Sequence, residues 1–177
     1  MNVYYAKTVL YAYPLVEKIM EELDEIVLRK ALSSINDCSP CLEQAEKILS
    51  FTAQKDTLIK LKIACENVVE NFNQKDKDCL DYKYFKQKPK EYYKDFDYTG
   101  RTYFRRQTLI AKRFSHLIEQ EGLDDKWFQE KCLTINFIKQ LYKRVLLHEK
   151  SMVKNSVSKK KVTGKSNVQA VAIKKTA

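Results

Sequence analysis

The chain has 177 residues and a formal net charge of +10, and only three glycines and three prolines interrupt a composition that is 44% apolar. A chain of this length can bury a substantial core, and so few turn-forming residues exclude a protein built mainly from β-sheet. We predict an all-α protein that contains, in order, an N-terminal antiparallel helical hairpin, a central helix-turn-helix, a C-terminal helix and a disordered basic tail.

The positive charge is unevenly distributed along the chain. Residues 1–74 hold eight Lys or Arg and eleven Asp or Glu, whereas residues 75–120 hold twelve and seven. Residues 121–150 carry a net charge of +1, and residues 151–177 hold seven cations and no acid. The basic stretches are where a polyanion would bind.

The cysteine count and the hydropathy of the sequence predict where the protein resides. The chain has five cysteines, an odd number, together with no signal sequence and no apolar run of about 18 residues. These features predict a soluble cytoplasmic protein with reduced thiols and no membrane partner.

Residues 1–74 are predicted to form the helical hairpin. Apolar residues recur at helical spacing from Val3 to about Ser34, with a bend or break at Pro14. A second helix is predicted from Pro40 to Phe72, which would be about 50 Å long. The short loop between them requires the second helix to fold back, and Lys55 and Asp56 mark a point where it protrudes or breaks.

Two interpretations of the hairpin's apolar surface remain open: a layer of the protein's own core, or a surface for self-association or for another partner. The residues expected to face inward are Val16, Ile19, Met20, Leu23, Ile26, Val27 and Ala31, widened by Leu28 and Leu32, then Ala45, Ile48, Leu49, Thr52, Ile59, Ile63, Val68 and Phe72.

Residues 75–122 are predicted to form three short helices. The first, from about Lys75 to Phe85, has an apolar stripe of Leu80, Tyr84 and Phe85. The second, Pro89 to Phe96, begins at a proline and is expected to bury Tyr92, Tyr93 and Phe96.

The third helix of this unit is predicted from about Gly100 to Gln120, after a turn at residues 97–100 in which Thr99 caps it. Its expected inward stripe is Tyr103, Ile110, Phe114 and Leu117. Five cations on this helix fall largely off that stripe: Arg101, Arg105, Arg106, Lys112 and Arg113.

Three sequence blocks, LDYKYF, KPKEYYKDFDYT and GRTYFRRQTLIAKRF, resemble region 4 of bacterial RNA polymerase sigma factors. They are similar also to phage late-transcription activators of the ArpU and RinA type. Leu80, Tyr82, Tyr84 and Phe85 match the first block of that pattern, and Thr99 and residues 101–105 match the third. The resemblance covers about forty residues, and it implies a helix-turn-helix that binds double-stranded DNA and regulates transcription, with RNA polymerase as a further partner.

The leading end of a recognition helix lies near base edges in the major groove. Thr99, Gly100, Arg101 and Arg105 are therefore the expected base or near-base contacts. The other cations are assigned to backbone phosphates, which position a protein without reading sequence: Arg106, Lys112, Arg113, Lys88 and Lys90.

The C-terminal part is predicted to be a core helix over residues 123–150, begun by Leu123-Asp124-Asp125 after Gly122 ends the preceding helix. Residues 151–177 have no acid and no aromatic residue, which is typical of a disordered tail. The tail has two interpretations: added phosphate contacts, or a solvated terminus without a role.

No catalytic, cofactor or metal site is predicted. Cys38 and Cys41 form a single C-x-x-C, and His116 and His148 are isolated in the sequence. The chain lacks phosphate-cradling glycine motifs and a nucleophile elbow, so we do not expect an enzyme. The alternative to a DNA-binding regulator is a helical adaptor or structural protein that assembles through its acidic N-terminal hairpin.

Overall fold

A computed structural model describes residues 1–33, 41–93 and 100–151 of the chain. Every regular element within those ranges is helical, so the all-α prediction is confirmed. In chain order the elements are α1 (Val3–Ala12), a 3-10 helix (Tyr13–Leu15), α2 (Val16–Ser33), α3 (Cys41–Glu70), α4 (Gln74–Leu80), a π-helical turn (Asp81–Phe85), a 3-10 helix (Lys90–Tyr93), α5 (Arg101–Gln120), α6 (Asp125–Glu130), a 3-10 helix (Cys132–Thr134) and α7 (136–151).

The chain divides into two compact units, Met1–Tyr142 and a second unit that begins at Lys143 within α7. The hydrophobic core and the candidate site both lie in the first unit. The predicted basic tail falls on residues 152–177, which lie outside the described residues.

α1 and α2 are separated where the sequence predicts a bend. The side chain of Asn2 accepts a hydrogen bond from the Tyr4 amide at 2.9 Å and so begins α1. The 3-10 helix between α1 and α2 contains Pro14, whose missing N–H interrupts the regular hydrogen-bond pattern. The predicted interruption at Pro14 is therefore confirmed.

α2 and α3 form the predicted antiparallel hairpin. Lys55 Nζ lies 2.6 Å from the Asp24 carboxylate, and Lys62 Nζ lies 2.5 Å from that of Glu17. The partner on α3 moves forward by seven residues, from Lys55 to Lys62, while the partner on α2 moves back by seven. The two helices are therefore antiparallel. α3 continues without a break past Lys55, so the interruption considered there does not occur.

Only one end of the hairpin is buried. The buried residues of α2 are Val16 and Leu23, and those of α3 begin at Leu58. None of the residues in 24–32 and 42–57 is buried, and we call these two stretches together the arm. The predicted protrusion of the hairpin is thus observed, and it consists of the arm between Leu23 of α2 and Leu58 of α3.

Several residues that the periodicity assigns to the inward stripe lie outside the core. They are Leu28, Ala31, Leu32, Ala45, Leu49, Thr52, Ile59 and Ile63, all of which are exposed. The prediction was wrong for these residues because α3 has apolar residues on two opposite sides, and only the side with Leu58, Leu61 and Cys65 packs inward. Val68 and Phe72 are buried as expected.

The core of the first unit is built around α5, which packs against α1, α3 and α4. The fully buried side chains of this core include Leu10, Leu61, Phe114, Ile118 and Phe128. Each side chain of this size contributes about 1.5–3 kcal/mol when it is removed from water.

The C-terminal part of the first unit is not the single helix predicted over residues 123–150. Asp124 caps α6 by accepting from the Trp127 amide at 2.7 Å, as expected. The helix then ends at Glu130, and Ile135 has an extended backbone before α7 begins. Within this interruption the Thr134 hydroxyl donates to the Lys131 carbonyl at 2.5 Å.

Candidate nucleic-acid interface

α5 has one face in the core and one face in solvent. Its buried residues are Tyr103, Ile110, Ala111, Phe114, Ser115 and Ile118. Leu117, which the sequence places on this stripe, is only partly buried, because Ile118 occupies the fully buried position. The opposite face is exposed and includes Arg101, Thr102, Phe104, Arg105, Thr108, Leu109, Lys112 and Arg113.

The first turn of α5 is open to solvent. Gly100 is its N-cap residue, with φ −76° and ψ 160°, and no described side chain caps the helix. Thr99, the residue predicted to cap α5, lies outside the described residues. Arg101 and Thr102 follow with exposed side chains, so the first amides and the first cation of α5 are accessible together.

The front of α5 is held to the core by an aromatic contact on its inner face. The ring centroids of Tyr103 and Tyr82 lie 6.0 Å apart in an edge-to-face arrangement. Burial raises the pKa of Tyr103 to about 12, so its hydroxyl is protonated at neutral pH. Because Tyr103 faces inward, the nearby cations Arg101 and Arg105 lie on the exposed side of α5.

The second helix of the predicted helix-turn-helix is not observed as an α-helix. The chain forms only a one-turn 3-10 helix, Lys90–Tyr93, and residues 94–99 lie outside the described residues. Tyr92, which was expected to be buried, is exposed. The predicted burial of Tyr93 and Phe96 concerns side chains that the structure does not describe.

Asp81 explains why the chain leaves the helix before that point. Its buried carboxylate accepts from the amides of Gln87 and Lys88 at 3.1 and 3.3 Å, and Lys86 has a left-handed backbone with φ 54°. A carboxylate that binds two successive amides stabilises a tight turn in place of further helix. The segment 86–93 is therefore folded back on the end of α4.

Asp78 binds the basic side chain nearest to this turn. Its Oδ1 atom accepts from Lys88 Nζ at 3.0 Å, from Gln74 at 3.0 Å and from the Tyr92 hydroxyl at 3.2 Å. Burial raises the pKa of Asp78, but the hydrogen bonds from Lys88 and Gln74 outweigh that effect, and the pKa is lowered overall. Lys88, predicted as a phosphate contact, is thus engaged within the protein.

Three arginines meet in a groove of about 440 Å³ along the exposed side of α5. Arg105, Arg106 and Arg113 line it together with Asp76 and three further α5 residues, Thr102, Leu109 and Ile110. This groove brings together three of the predicted site residues: Arg105 and Arg106 are adjacent, and Arg113 follows about two turns further along α5.

The arginines of the groove differ in what already binds them. Arg106 Nε lies 3.2 Å from the Asp76 carboxylate. Arg113 donates to the Asn71 carbonyl at 3.2 Å, and its guanidinium lies 4.9 Å from the centre of the Phe72 ring. Arg105 makes no ion pair with any residue that the structure describes, so its guanidinium is available to an anion.

Two further cations of α5 are similarly unengaged. Arg101 and Lys112 are exposed, and neither forms an ion pair within the described part of the chain. The side chain of Lys90 lies outside the description. Arg101, Arg105 and Lys112 are therefore the predicted site residues most available to a polyanion.

Sequence reasoning missed four residues that shape this surface. Asp76 and Asp78 hold Arg106 and Lys88, and the apolar side chains of Phe104 and Leu109 are exposed among the cations. The exposure of Phe104 and Leu109 could have been predicted, because both lie opposite the buried stripe of α5. The ion pairs of Asp76 and Asp78 could not, because helical spacing does not relate them to Arg106 and Lys88.

The described cysteines show no reactive or metal-binding arrangement. Cys65, Cys79 and Cys132 are buried, and burial raises the pKa of Cys79 to about 11 and that of Cys132 to about 12. Among the described residues no group of His, Cys, Asp and Glu side chains could hold a metal ion. Cys38 and the Cys41 side chain lie outside that part of the chain.

No protein-family model, curated protein or solved structure matches this chain. The resemblance to sigma region 4 therefore rests on the residues of the sequence alone. Among the helices that the structure describes, none combines the length and the apolar composition needed to cross a bilayer.

Proposed function

We propose that this protein binds double-stranded DNA through the exposed face of α5 and regulates transcription. The observation that carries the proposal is the concentration of Arg101, Arg105 and Lys112, all exposed and without an acidic partner among the described residues, on one face of one helix. Such a face suits a polyanion, because each cation that neutralises a phosphate releases condensed counterions. RNA polymerase, implied by the sigma-like sequence blocks, is a proposed second partner.

Arg101 and Arg105, with Thr99 and Gly100, are the proposed contacts at or near base edges. Gly100, Arg101 and Arg105 lie at the leading end of α5, which is the end that reaches bases when a helix enters the major groove. Arg106, Lys112 and Arg113, with Lys88 and Lys90, are the proposed phosphate contacts. Exposed Phe104 and Leu109 add apolar area that suits thymine methyl groups.

The leading end of α5 is tested by replacing both arginines with alanine. Duplexes are selected from a random-sequence pool with the parent protein, and their affinity is then measured by fluorescence anisotropy. Arg101→Ala/Arg105→Ala should weaken binding by at least about tenfold, since each arginine contact to a base contributes about 1–3 kcal/mol of discrimination. The helical circular dichroism signal should not change, because both side chains are exposed.

The matched control removes two cations from a different surface. Lys18→Ala/Arg29→Ala changes the net charge by the same amount on exposed positions of α2. It should retain the parent affinity within about twofold, because surface charges beyond a Debye length of about 10 Å are largely screened. Equal affinities for the parent and the α5 variant would show that the wrong face has been assigned.

A second function, that of a non-enzymatic adaptor, is favoured by the arm, which projects apolar residues into solvent. An adaptor should give no DNA shift at any salt concentration and should form a defined assembly. A DNA binder should lose affinity steeply as salt rises. We expect a regulator of this kind to act in the cytoplasm.

A further inference from the structure

The groove that contains three arginines of α5 is long and narrow, and we call it the arginine groove. Asp76, in the first turn of α4, lines it from the side of that helix. With a volume of about 440 Å³, it has the size of a site for a small molecule. The residues that line it from α5 share one side of the helix over about three turns, or about 16 Å: Thr102, Arg105, Arg106, Leu109, Ile110 and Arg113.

Two arginines of the groove are held in place by other parts of the chain. Arg106 Nε lies 3.2 Å from the carboxylate of Asp76. Arg113 donates to the main-chain carbonyl of Asn71 at 3.2 Å, and its guanidinium lies over the ring of Phe72. Both partners of Arg113 are uncharged, so they orient its guanidinium without neutralising it. A side chain that is already oriented loses less conformational freedom when it binds a ligand.

The charges of the groove favour an anion. Three guanidinium groups line it, and the carboxylate of Asp76 opposes only one of them. Arg105 makes no ion pair within the described ranges of the chain. The planar guanidinium group matches the geometry of phosphate oxygens, to which it donates two parallel hydrogen bonds. Phosphate is therefore the chemical group that this set of side chains recognises best.

The spacing of the arginines favours a ligand with several linked phosphates. The backbone of Arg105 and that of Arg113 are separated by about 12 Å along the helix axis. A single phosphate is too small to contact side chains from both ends of this interval at once. A chain of phosphates can contact all three arginines together, so each added phosphate should raise the affinity.

Leu109 provides an apolar contact among these cations. It lies four residues after Arg105, three after Arg106 and four before Arg113, and 59% of its surface is exposed. Residues three and four apart are neighbours on the surface of a helix. An exposed leucine surrounded by guanidinium groups suits a ligand that joins phosphates to an apolar face, as the sugar and base of a nucleotide do.

We propose that the arginine groove binds a free oligophosphate, either a nucleoside triphosphate or an inorganic chain of phosphates. This proposal goes beyond DNA binding, because the ligand is a small molecule enclosed by α4 and α5. Arg105, Arg106 and Arg113 are also proposed contacts to DNA, so the oligophosphate and the duplex should compete. Only this competition rests on the proposed function.

Isothermal titration calorimetry of the full chain with sodium tripolyphosphate and with ATP tests the site. Both should bind, and orthophosphate should bind at least about tenfold more weakly, because it forms fewer charge-assisted hydrogen bonds. Arg106→Ala/Arg113→Ala should weaken tripolyphosphate and ATP binding by at least about thirtyfold, since each variant position removes such hydrogen bonds. Arg105→Ala, at an exposed side chain without an ion pair, should weaken it by at least about fivefold with the helical circular dichroism signal unchanged.

The matched comparison is Arg101→Ala/Lys112→Ala, which removes the same charge from α5 at positions that do not line the groove. It should weaken the two ligands by no more than about threefold, because exposed charges outside the site act only through screened attraction. Equal weakening by the two double variants would overturn the proposal, since the anions would then be attracted by the charge of α5 as a whole. Absence of binding by both ligands to the parent would overturn it as well.

Two further measurements identify the source of the phosphates and the link to DNA. ATP that binds more tightly than tripolyphosphate, by a margin that Leu109→Asn removes, would assign the groove to a nucleotide, whereas equal affinities would assign it to an inorganic chain. Added oligophosphate should also displace the duplex in fluorescence anisotropy. Calorimetric binding without displacement would leave the groove assigned and would contradict the DNA contacts proposed for its arginines.

Discussion

Asp76 lies inside the arginine groove and holds Arg106 at 3.2 Å, so it subtracts one charge from the surface proposed to meet phosphates. Its carboxylate would lie close to any phosphate that Arg106 binds. Two like charges at this range repel by about 1 kcal/mol or more, even under strong screening. The side chain therefore limits the affinity of the surface that it helps to order.

We predict that Asp76→Asn tightens DNA binding by about fivefold, because it removes that repulsion and leaves Arg106 free to bind phosphate. Fluorescence anisotropy on the selected duplex measures the change. Asp24→Asn, which removes an acid that pairs with Lys55 on the arm, should have no effect. Weaker binding by Asp76→Asn would mean that the carboxylate's main role is to position Arg106.

Asp78 provides a pH-dependent contribution to folding. Its folded-state pKa is lowered, chiefly because the hydrogen bonds from Lys88 and Gln74 exceed the opposing effect of burial. A carboxyl group with a lowered pKa stabilises the fold above its unfolded pKa of about 3.9, and that contribution is lost as the pH falls through the folded value. The ion pair with Lys88 is partly exposed, which limits its contribution to about 1 kcal/mol.

Asp78→Asn should therefore lower the free energy of unfolding at about pH 7, and the difference from the parent should shrink below about pH 3.9. Urea unfolding between about pH 7 and pH 3 measures both. A difference that stays constant over this range would show that the ionised form of Asp78 is not what stabilises the turn.

At the scale of elements, α5 determines how the core and the candidate surface relate. Ile118 is fully buried, whereas Leu117 beside it is only partly buried. We predict that Ile118→Ala lowers the free energy of unfolding by about 2–5 kcal/mol and that Leu117→Ala lowers it by clearly less. Chemical denaturation of the two variants measures the difference, and the reverse order would contradict the observed rotation of α5.

Local patterns predicted most of the helix boundaries. Pro14 marks the interruption between α1 and α2, Asp124 caps α6, and Gly122 follows the end of α5 with φ 81°. Each of these signals acts within a few residues of its own position. A single residue type therefore suffices to predict the element's end.

Apolar spacing did not reveal two features of the backbone. The chain turns after α4, where the Asp81 carboxylate accepts from the amides of Gln87 and Lys88, and the described part of the predicted Pro89–Phe96 helix is a 3-10 helix, Lys90–Tyr93. α6 ends at Glu130 and Ile135 has an extended backbone before α7, although apolar residues continue through this stretch. Neither the turn nor the break alters the apolar spacing from which both predictions were made.

For the molecule as a whole, helical periodicity did not predict which side of α3 enters the core. The apolar residues on two sides of α3 were all assigned to one inward stripe. In the structure Leu58 and Leu61 are buried, whereas Leu42 and Leu49 are exposed. The candidate site was predicted as a set of cations. The structure adds which of them are engaged, since Arg106 and Lys88 have acidic partners and Arg105 has none among the described residues.

The proposed function depends on one surface, the exposed face of α5. Its cations should each replace a counterion of the duplex, so that the logarithm of the association constant falls linearly with the logarithm of the salt concentration. Contacts between cations and phosphates contribute much of the affinity of such a helix for DNA. The slope of this line therefore measures how many phosphates the protein neutralises.

The most direct test is a salt titration of duplex binding by the parent and by Lys112→Ala/Arg113→Ala, which removes two of the proposed phosphate contacts. We predict a steep negative slope for the parent, and a slope for the variant that is less steep by about 1.8, since each phosphate contact contributes about 0.9. Identical slopes for the two proteins, or a parent that does not bind duplex DNA at low salt, would contradict the assignment of this face to DNA.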